Sequence, residues 1–156
     1  MDFNAVYKEE GVDFGEMHLG QFLLGLLSAF ENRYQAMADT FFKEITWKQF
    51  FAIICINLCK ENPTINELSD IMWSSHQNVK QILLKLESIG FIEFRMDEED
   101  KRKQRIFLTA KCYKFCQENE EGSQKYINRI FDGISDEQLQ VTIQTIMQME
   151  RNIAKK

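Results

Sequence analysis

The sequence predicts a mainly α fold with one small β-hairpin wing, a winged helix-turn-helix with flanking dimerisation helices. Three observations carry that expectation. Between Thr64 and Gly90 two short helical patterns follow one another with almost no connecting chain. From Phe91 to Thr109 two alternating apolar segments enclose a charged loop. Longer amphipathic stripes run on either side, in a chain of 156 residues with 7 Gly and a single Pro, a composition that suits helices and disfavours all-β designs.

After a polar leader, Leu19, Phe22, Leu23, Leu26, Leu27, Phe30, Tyr34, Met37 and Phe41 recur at helical spacing, which predicts a long amphipathic helix from about Met17 to Phe42. Thr46 with Gln49 forms a capping box that opens a second helix, with Phe50, Ile53, Ile54 and Leu58 inward and an end near Asn62 and Pro63. Thr64 with Glu67 forms another box, opening a short helix with Ile65, Leu68, Ile71 and Met72 that stops around Trp73 and Ser74. Ser74 or Ser75 caps the next helix, whose inward residues are Val79, Ile82, Leu83 and Leu86 and whose C-cap position falls at Gly90. Phe91–Arg95 and Arg105–Thr109 read as strands around a protruding loop, Met96 to Gln104. Cys112, Tyr113, Cys116, Tyr126, Ile127, Ile130 and Phe131 then form a helical stripe with Gly122 as a candidate break. Ser135 with Gln138 caps a last helix carrying Leu139, Ile143, Ile146, Met147 and Ile153, and Lys155 and Lys156 complement its dipole. The whole is expected to form one domain, 1–156, in which 45–109 is the winged helix-turn-helix and 1–44 and 110–156 supply the dimerisation helices. Their apolar stripes exceed what a small central core can cover.

Charge singles out the middle of the chain. The net charge is −5, yet His76 to Lys111 carries eight Lys and Arg against six Asp and Glu, with Lys101, Arg102, Lys103 and Arg105 in a cluster. An acidic protein can still present a cationic surface, because phosphate affinity depends on charges within roughly a Debye length. The two short helices must cross sharply, and the second is then the reader of a DNA groove. Its outward side and first turn offer Ser75, His76, Gln77, Asn78, Lys80 and Gln81, of which Asn and Gln can pair bidentately with adenine and Lys can donate to guanine or phosphate. On the wing, Arg102 is suited to a narrow minor groove, and Lys101, Lys103 and Arg105 to backbone phosphates. Asp100, two residues before Arg102, can accept the guanidinium's rear donors and fix its aim.

Other chemistries lack support. No apolar run reaches a membrane span, and the first residues are acidic where a signal peptide is basic and then apolar, so a cytoplasmic location is expected. Cys55 and Cys59, like Cys112 and Cys116, are spaced i, i+4 without the C-x-x-C of a zinc site, and read as reduced structural cysteines; no metal and no cofactor is expected. An enzyme is not expected either. His76 and Cys59 fall on different helices, and there is no Gly-rich phosphate loop or paired-carboxylate motif. The rival to a DNA reader is a winged helix used as a protein-interaction module, which the cations from Lys101 to Arg105 disfavour.

Leu86, Glu87 and Gly90, followed by Asp100-Lys101-Arg102 and Leu108-Thr109, resemble the L-E-x-x-G and D-x-R…L-T signatures of the MarR family of bacterial winged-helix transcriptional regulators. Ile45, Thr46 and Gln49 resemble the family's L-T-x-x-Q, and Asn66-Glu67-Leu68 its x-E-L. The resemblance covers Ile45 to Thr109; the flanking helices match only in length and amphipathic character. It implies a homodimer with interleaved first and last helices, two wings straddling a pseudo-palindromic double-stranded operator, and Arg102 reaching the minor groove with Asp100 behind it. It further implies a repressor relieved by a small aromatic or lipophilic effector, for which Phe22, Phe30, Trp47 and Phe51 are the candidate pocket residues; a DNA-binding regulator without an effector is the alternative. Two departures stand out. Asn78 and Lys80 replace the small or hydroxyl residues usual on the family's reading helix, so operator preference does not transfer. The amino-terminal sensor cysteine of the family's redox members is missing.

Overall fold

The computed structural model of the chain describes residues 17–154. The leader before Met17 and the terminal Lys155 and Lys156 lie outside the described residues. The elements run α1 (Leu19–Phe41), α2 (Trp47–Leu58), α3 (Ile65–Ile71), α4 (His76–Ser88), β1 (Ile92–Met96), β2 (Gln104–Leu108), α5 (Ala110–Ile130) and α6 (Asp136–Ala154). This is the mainly helical arrangement with one antiparallel hairpin that the sequence predicts. Among the described residues no helix is long and apolar enough to cross a membrane. The chain divides into two compact units at Thr109/Ala110, and α1 belongs with the helix-turn-helix in the first.

Local sequence signals set most helix starts. Thr46 and Thr64 each accept from the backbone N–H three residues on, while Gln49 and Glu67 accept from the Thr46 and Thr64 backbone N–H in return. Ser135 and Gln138 exchange the same pair of bonds before α6. His18 caps α1, its Nδ1 accepting from Gly20 N at 3.1 Å. At the α4 start the cap is Ser75, whose Oγ accepts from Asn78 N.

The core of the first unit is where four elements meet. Leu68 of α3, Val79, Leu83 and Leu86 of α4, Phe91, and Ile106 of β2 are fully buried, joined by Ala52, Ile53, Cys55 and Ile56 of α2. All four inward residues expected on α4 are buried. On α2 the expected face is rotated and the helix is shorter: it ends at Leu58 rather than near Asn62, Leu58 is 76% exposed, and Cys55 and Ile56 face inward. Every residue from Phe50 to Ile56 is apolar, so periodicity alone could not choose the face.

Gly90 has φ +76°, and Phe91 N donates to Leu86 O at 2.9 Å, closing α4 as the expected positive-φ terminus requires. Each strand is displaced by one residue from expectation. The ladder pairs Ile92 with Leu108, Phe94 with Ile106 and Arg95 with Arg105, which puts Ile92 and Ile106 on the buried face. Thr109 Oγ1 returns to Gly90 O at 2.7 Å, tying the base of the hairpin to the end of α4.

In the second unit, α5 runs through Gly122 without interruption, since a single glycine inside a 21-residue helix costs only about 1 kcal/mol. Cys112 and Phe115 are its buried residues, while Tyr113, placed on the inner stripe by sequence, is exposed. No residue of α6 is buried, and Val141, Ile143, Met147 and Ile153 are exposed on it.

Candidate nucleic-acid interface

The turn between α3 and α4 is made by Trp73, a bulky residue at φ +48° and 81% exposed. A non-glycine side chain in this region is uncommon and, for a large one, strained. The left-handed residue turns the chain between the end of α3 at Ile71 and the start of α4 at His76. Ser74 N then bonds back to Ser69 O, and Asn78 Nδ2 donates to Ser74 Oγ at 2.7 Å, pinning the first turn of α4 to the turn.

Ser75, His76, Gln77, Asn78, Lys80 and Gln81 are all exposed. With Val79, Ile82, Leu83 and Leu86 inward, helical geometry sets Gln77 and Gln81 directly opposite the core, one turn apart, with Lys80 beside them. Asn78 has one amide donor committed to Ser74, so it presents its remaining donor and its carbonyl. Leu84, exposed on the same side as Gln77 and Gln81, was not among the expected readers. An apolar side chain there suits a thymine methyl, and only the observed exposure distinguishes it from core.

The wing holds its cations by carboxylates. Arg102 is 91% exposed at its side chain, and its guanidinium donates twice to Asp100, Nε to Oδ1 at 3.0 Å and a terminal nitrogen to Oδ2 at 3.2 Å. Asp100 Oδ1 also accepts from Arg102 N at 3.1 Å. The Asp100 carboxyl is held below the usual carboxylate range, first by the Arg102 side chain and then by its amide. Lys103 lies 3.9 Å from the same carboxylate, and Lys101 is exposed.

Arg105 differs from the other three cations. Its side chain is 24% exposed. Nε donates to Asp97 Oδ2, Nη1 donates to Asn62 O at 2.9 Å, and Glu67 and Glu61 stand 3.8 and 4.0 Å away. The sequence treats Arg105 as a phosphate contact; in the structure its Nε and Nη1 donate to Asp97 and Asn62, because Asn62, Glu61 and Glu67, remote in sequence, meet β2 at the wing base. Asp97 is similarly occupied, accepting from Glu99 N and Asp100 N and lowered to about 2 by those backbone bonds and by Arg105.

Between the first turns of α3 and α4 and the wing lies an open groove of about 650 Å³, lined by Thr64, Asn66, Glu67, His76, Arg102, Lys103 and Gln104 among others. Asn66 and Gln104 join it because the two helix starts face the wing, a relation between elements that spacing does not reveal.

A second cavity, of about 300 Å³, is lined by Glu31 and Gln35 of α1, Trp47 and Phe51 of α2, and Trp73, Ser74, Asn78 and Ile82. Of the four expected effector residues, Trp47 and Phe51 share it, their rings 6.1 Å apart. Phe22 and Phe30 do not line it. Phe22 is nine residues from Glu31, about 13 Å along the helix, and Phe30 turns aside to stack on Tyr34 at 6.0 Å.

No cysteine is in a disulfide. Burial pushes the Cys55 and Cys59 thiols up, whereas the Cys112 side chain, hydrogen-bonded to Cys116, holds the Cys116 thiol below its usual range.

No protein-family model matches the sequence, and no curated protein is significantly similar to it. Solved structures do match. A MarR protein from Peptoclostridium difficile aligns at a TM-score of 0.76 with 21% identity, over 92% of this chain and 95% of that one. A MarR/EmrR family transcriptional regulator from Acinetobacter sp. ADP1 aligns at 0.79 with 14% identity, over 90% and 100%. The MepR–DNA complex from S. aureus aligns at 0.73 with 17% identity, over 82% and 94%. The chain therefore has the fold that these MarR-family regulators share.

Proposed function

We propose that this chain is a MarR-type, sequence-specific double-stranded DNA-binding transcriptional regulator that acts without catalysis, as a homodimer on a pseudo-palindromic operator. The observation that carries the reading is the fully exposed Arg102, forked onto Asp100 at the tip of a wing that borders the exposed start of α4. Such a fork leaves the guanidinium aimed outward at low conformational cost, as insertion into a minor groove requires. Gln77, Asn78, Lys80 and Gln81 read base edges in the major groove. His76, Lys101 and Lys103 engage phosphates, as do the free amides at the α4 start.

The dimer reading rests on α6, whose exposed Val141, Ile143 and Met147 need cover in water. Sedimentation at low micromolar concentration should give about twice the 18.5 kDa of one chain; a stable monomer would remove this part. The effector reading rests on the second cavity, whose two indoles and Phe51 suit a small planar or lipophilic ligand. Because Trp73, Ser74 and Asn78 also wall that cavity, an occupant would act on the turn that sets α4, which is how a repressor would be relieved.

The test is a titration against the duplex flanking the protein's own gene, repeated over a salt series. A linear fall of log K with log salt concentration, steeper than one phosphate's slope of about 0.9, is expected. Affinity indifferent to salt would overturn the reading.

A further inference from the structure

We infer that Arg105 is not a phosphate contact but the positioning residue that locks the wing to the helix-turn-helix and thereby aims Arg102. The inference rests on the DNA-binding reading above.

Arg105 joins the α2–α3 connection, the first turn of α3 and the turn beyond β1, next to the backbone bond from Ile106 N to Pro63 O. Its Nη1 reaches the Asn62 carbonyl in the α2–α3 connection, 43 residues away in sequence. The same nitrogen sits 3.8 Å from Glu67, the carboxylate that closes the α3 capping box through Thr64. Its Nε engages Asp97, at the first position beyond β1. Asp97 carries the link onward, because its other carboxylate oxygen accepts from Glu99 N at 2.9 Å and Asp100 N at 2.8 Å. Asp97 N donates to Lys103 O, and Lys103 N to Asp100 O, so the whole tip is one closed turn. Asp100, fixed by that turn, holds Arg102. The path from Arg105 to Arg102 is thus a run of hydrogen bonds with one carboxylate at each bend.

The arrangement also accounts for the arginine's placement. Arg95 and Arg105 face each other across the ladder, a like-charge pair that is unfavourable unless each cation has a partner. Arg95 takes Glu93 and lies 4.3 Å over the Phe107 ring, leaving the carboxylates beyond β1 and before α3 to Arg105. The guanidinium reaches the Asp97 carboxylate from Nε and the Asn62 carbonyl from Nη1, two nitrogens held in one rigid plane; a lysine ammonium carries the same charge on a single nitrogen, without the fork.

Charge and position therefore make opposite forecasts for two variants. Arg105→Lys keeps the charge, so a phosphate contact would survive it, whereas the lock would not. Asp97→Asn removes a negative charge near DNA, so long-range electrostatics forecasts tighter binding, whereas loss of the lock forecasts weaker binding. Anisotropy titrations on the flanking duplex should show both variants binding roughly tenfold more weakly than the wild-type protein, with its salt slope retained. In the DNA-free protein, amide exchange at Glu99 and Asp100 should accelerate in both, which tests the lock independently of any ligand. Wild-type affinity for R105K, with exchange at those two amides unchanged, would overturn the role while leaving the DNA-binding reading in place. Absence of salt-dependent binding by the wild-type protein would instead remove that reading and this role together.

Discussion

Helix α4 and the wing organise their polar side chains in opposite ways. On α4 Gln77, Lys80 and Gln81 face away from Val79, Leu83 and Leu86 and are exposed, while Asn78 is tethered to Ser74. On the wing the cations Arg102 and Arg105 are held by acids, Asp100 and Asp97, which at the level of sequence look misplaced on a DNA surface. The helix can leave its side chains free because its backbone is already rigid and its direction is set by a packed core. A two-stranded hairpin has no such support, so its tip is organised by side-chain hydrogen bonds. A carboxylate near DNA can therefore raise affinity when it removes more conformational freedom than it adds repulsion.

The largest expected effect belongs to the wing. Arg102→Ala should weaken binding to cognate and scrambled duplexes alike by about 2 kcal/mol and lower the salt slope, since it deletes the exposed end of an organised structure. Titration of both duplexes checks this, and a loss confined to the cognate site would make Arg102 a base reader like those on α4. Next come Gln77→Ala and Gln81→Ala, which should cost about 1 to 2 kcal/mol on the cognate duplex and much less on a scrambled one. Equal losses on both duplexes would erase the contrast between the two regions.

Acid should separate them further, through the wing's carboxylates. Asp97 is lowered from its ordinary 3.8 to about 2, and Glu67 and Asp100 are also lowered, by hydrogen bonds from Thr64 and Arg102 respectively. A carboxylate with a depressed folded pKa stabilises the folded state fully above its unfolded value, and that contribution is lost as the pH falls through the folded one. The wing should thus be unaffected from neutrality to about pH 5 and weaken between 3.8 and about 2 as Asp97 takes up its proton. Carboxyl carbon shifts of Asp97 followed by NMR give the midpoint directly, and a value at or above 3.8 would break the lock described for Arg105. The smallest effect concerns the thiols. Half-buried Cys116, held low by Cys112, should alkylate with iodoacetamide before Cys55 or Cys59, whose thiols burial pushes up. Mass spectrometry of a time course reads the order.

What was legible in the sequence was local. Thr46 with Gln49, Thr64 with Glu67 and Ser135 with Gln138 each lie three residues apart, and each makes its bonds within one turn. The inward set of α4 is equally plain, because its polar and apolar residues alternate at helical spacing. The α2 face was not, since a segment apolar on all sides has no preferred phase. In the sequence Trp73 marks the end of a helix, yet nothing local marks a tryptophan for the left-handed region, where glycine is the expected residue. Arg105 looked like its neighbours Lys101 and Lys103 because Asn62, Glu61 and Glu67 come to it only through folding. The Asp100–Arg102 pair was visible for the opposite reason, being two residues apart.

The central claim, that acids on this wing serve DNA binding by fixing cations, is tested most directly by one substitution. Titrating wild-type protein and Asp100→Ala against the flanking duplex at fixed salt should show the variant binding more weakly, by about threefold or more, although it has lost a negative charge. Equal or tighter binding by D100A would contradict the account.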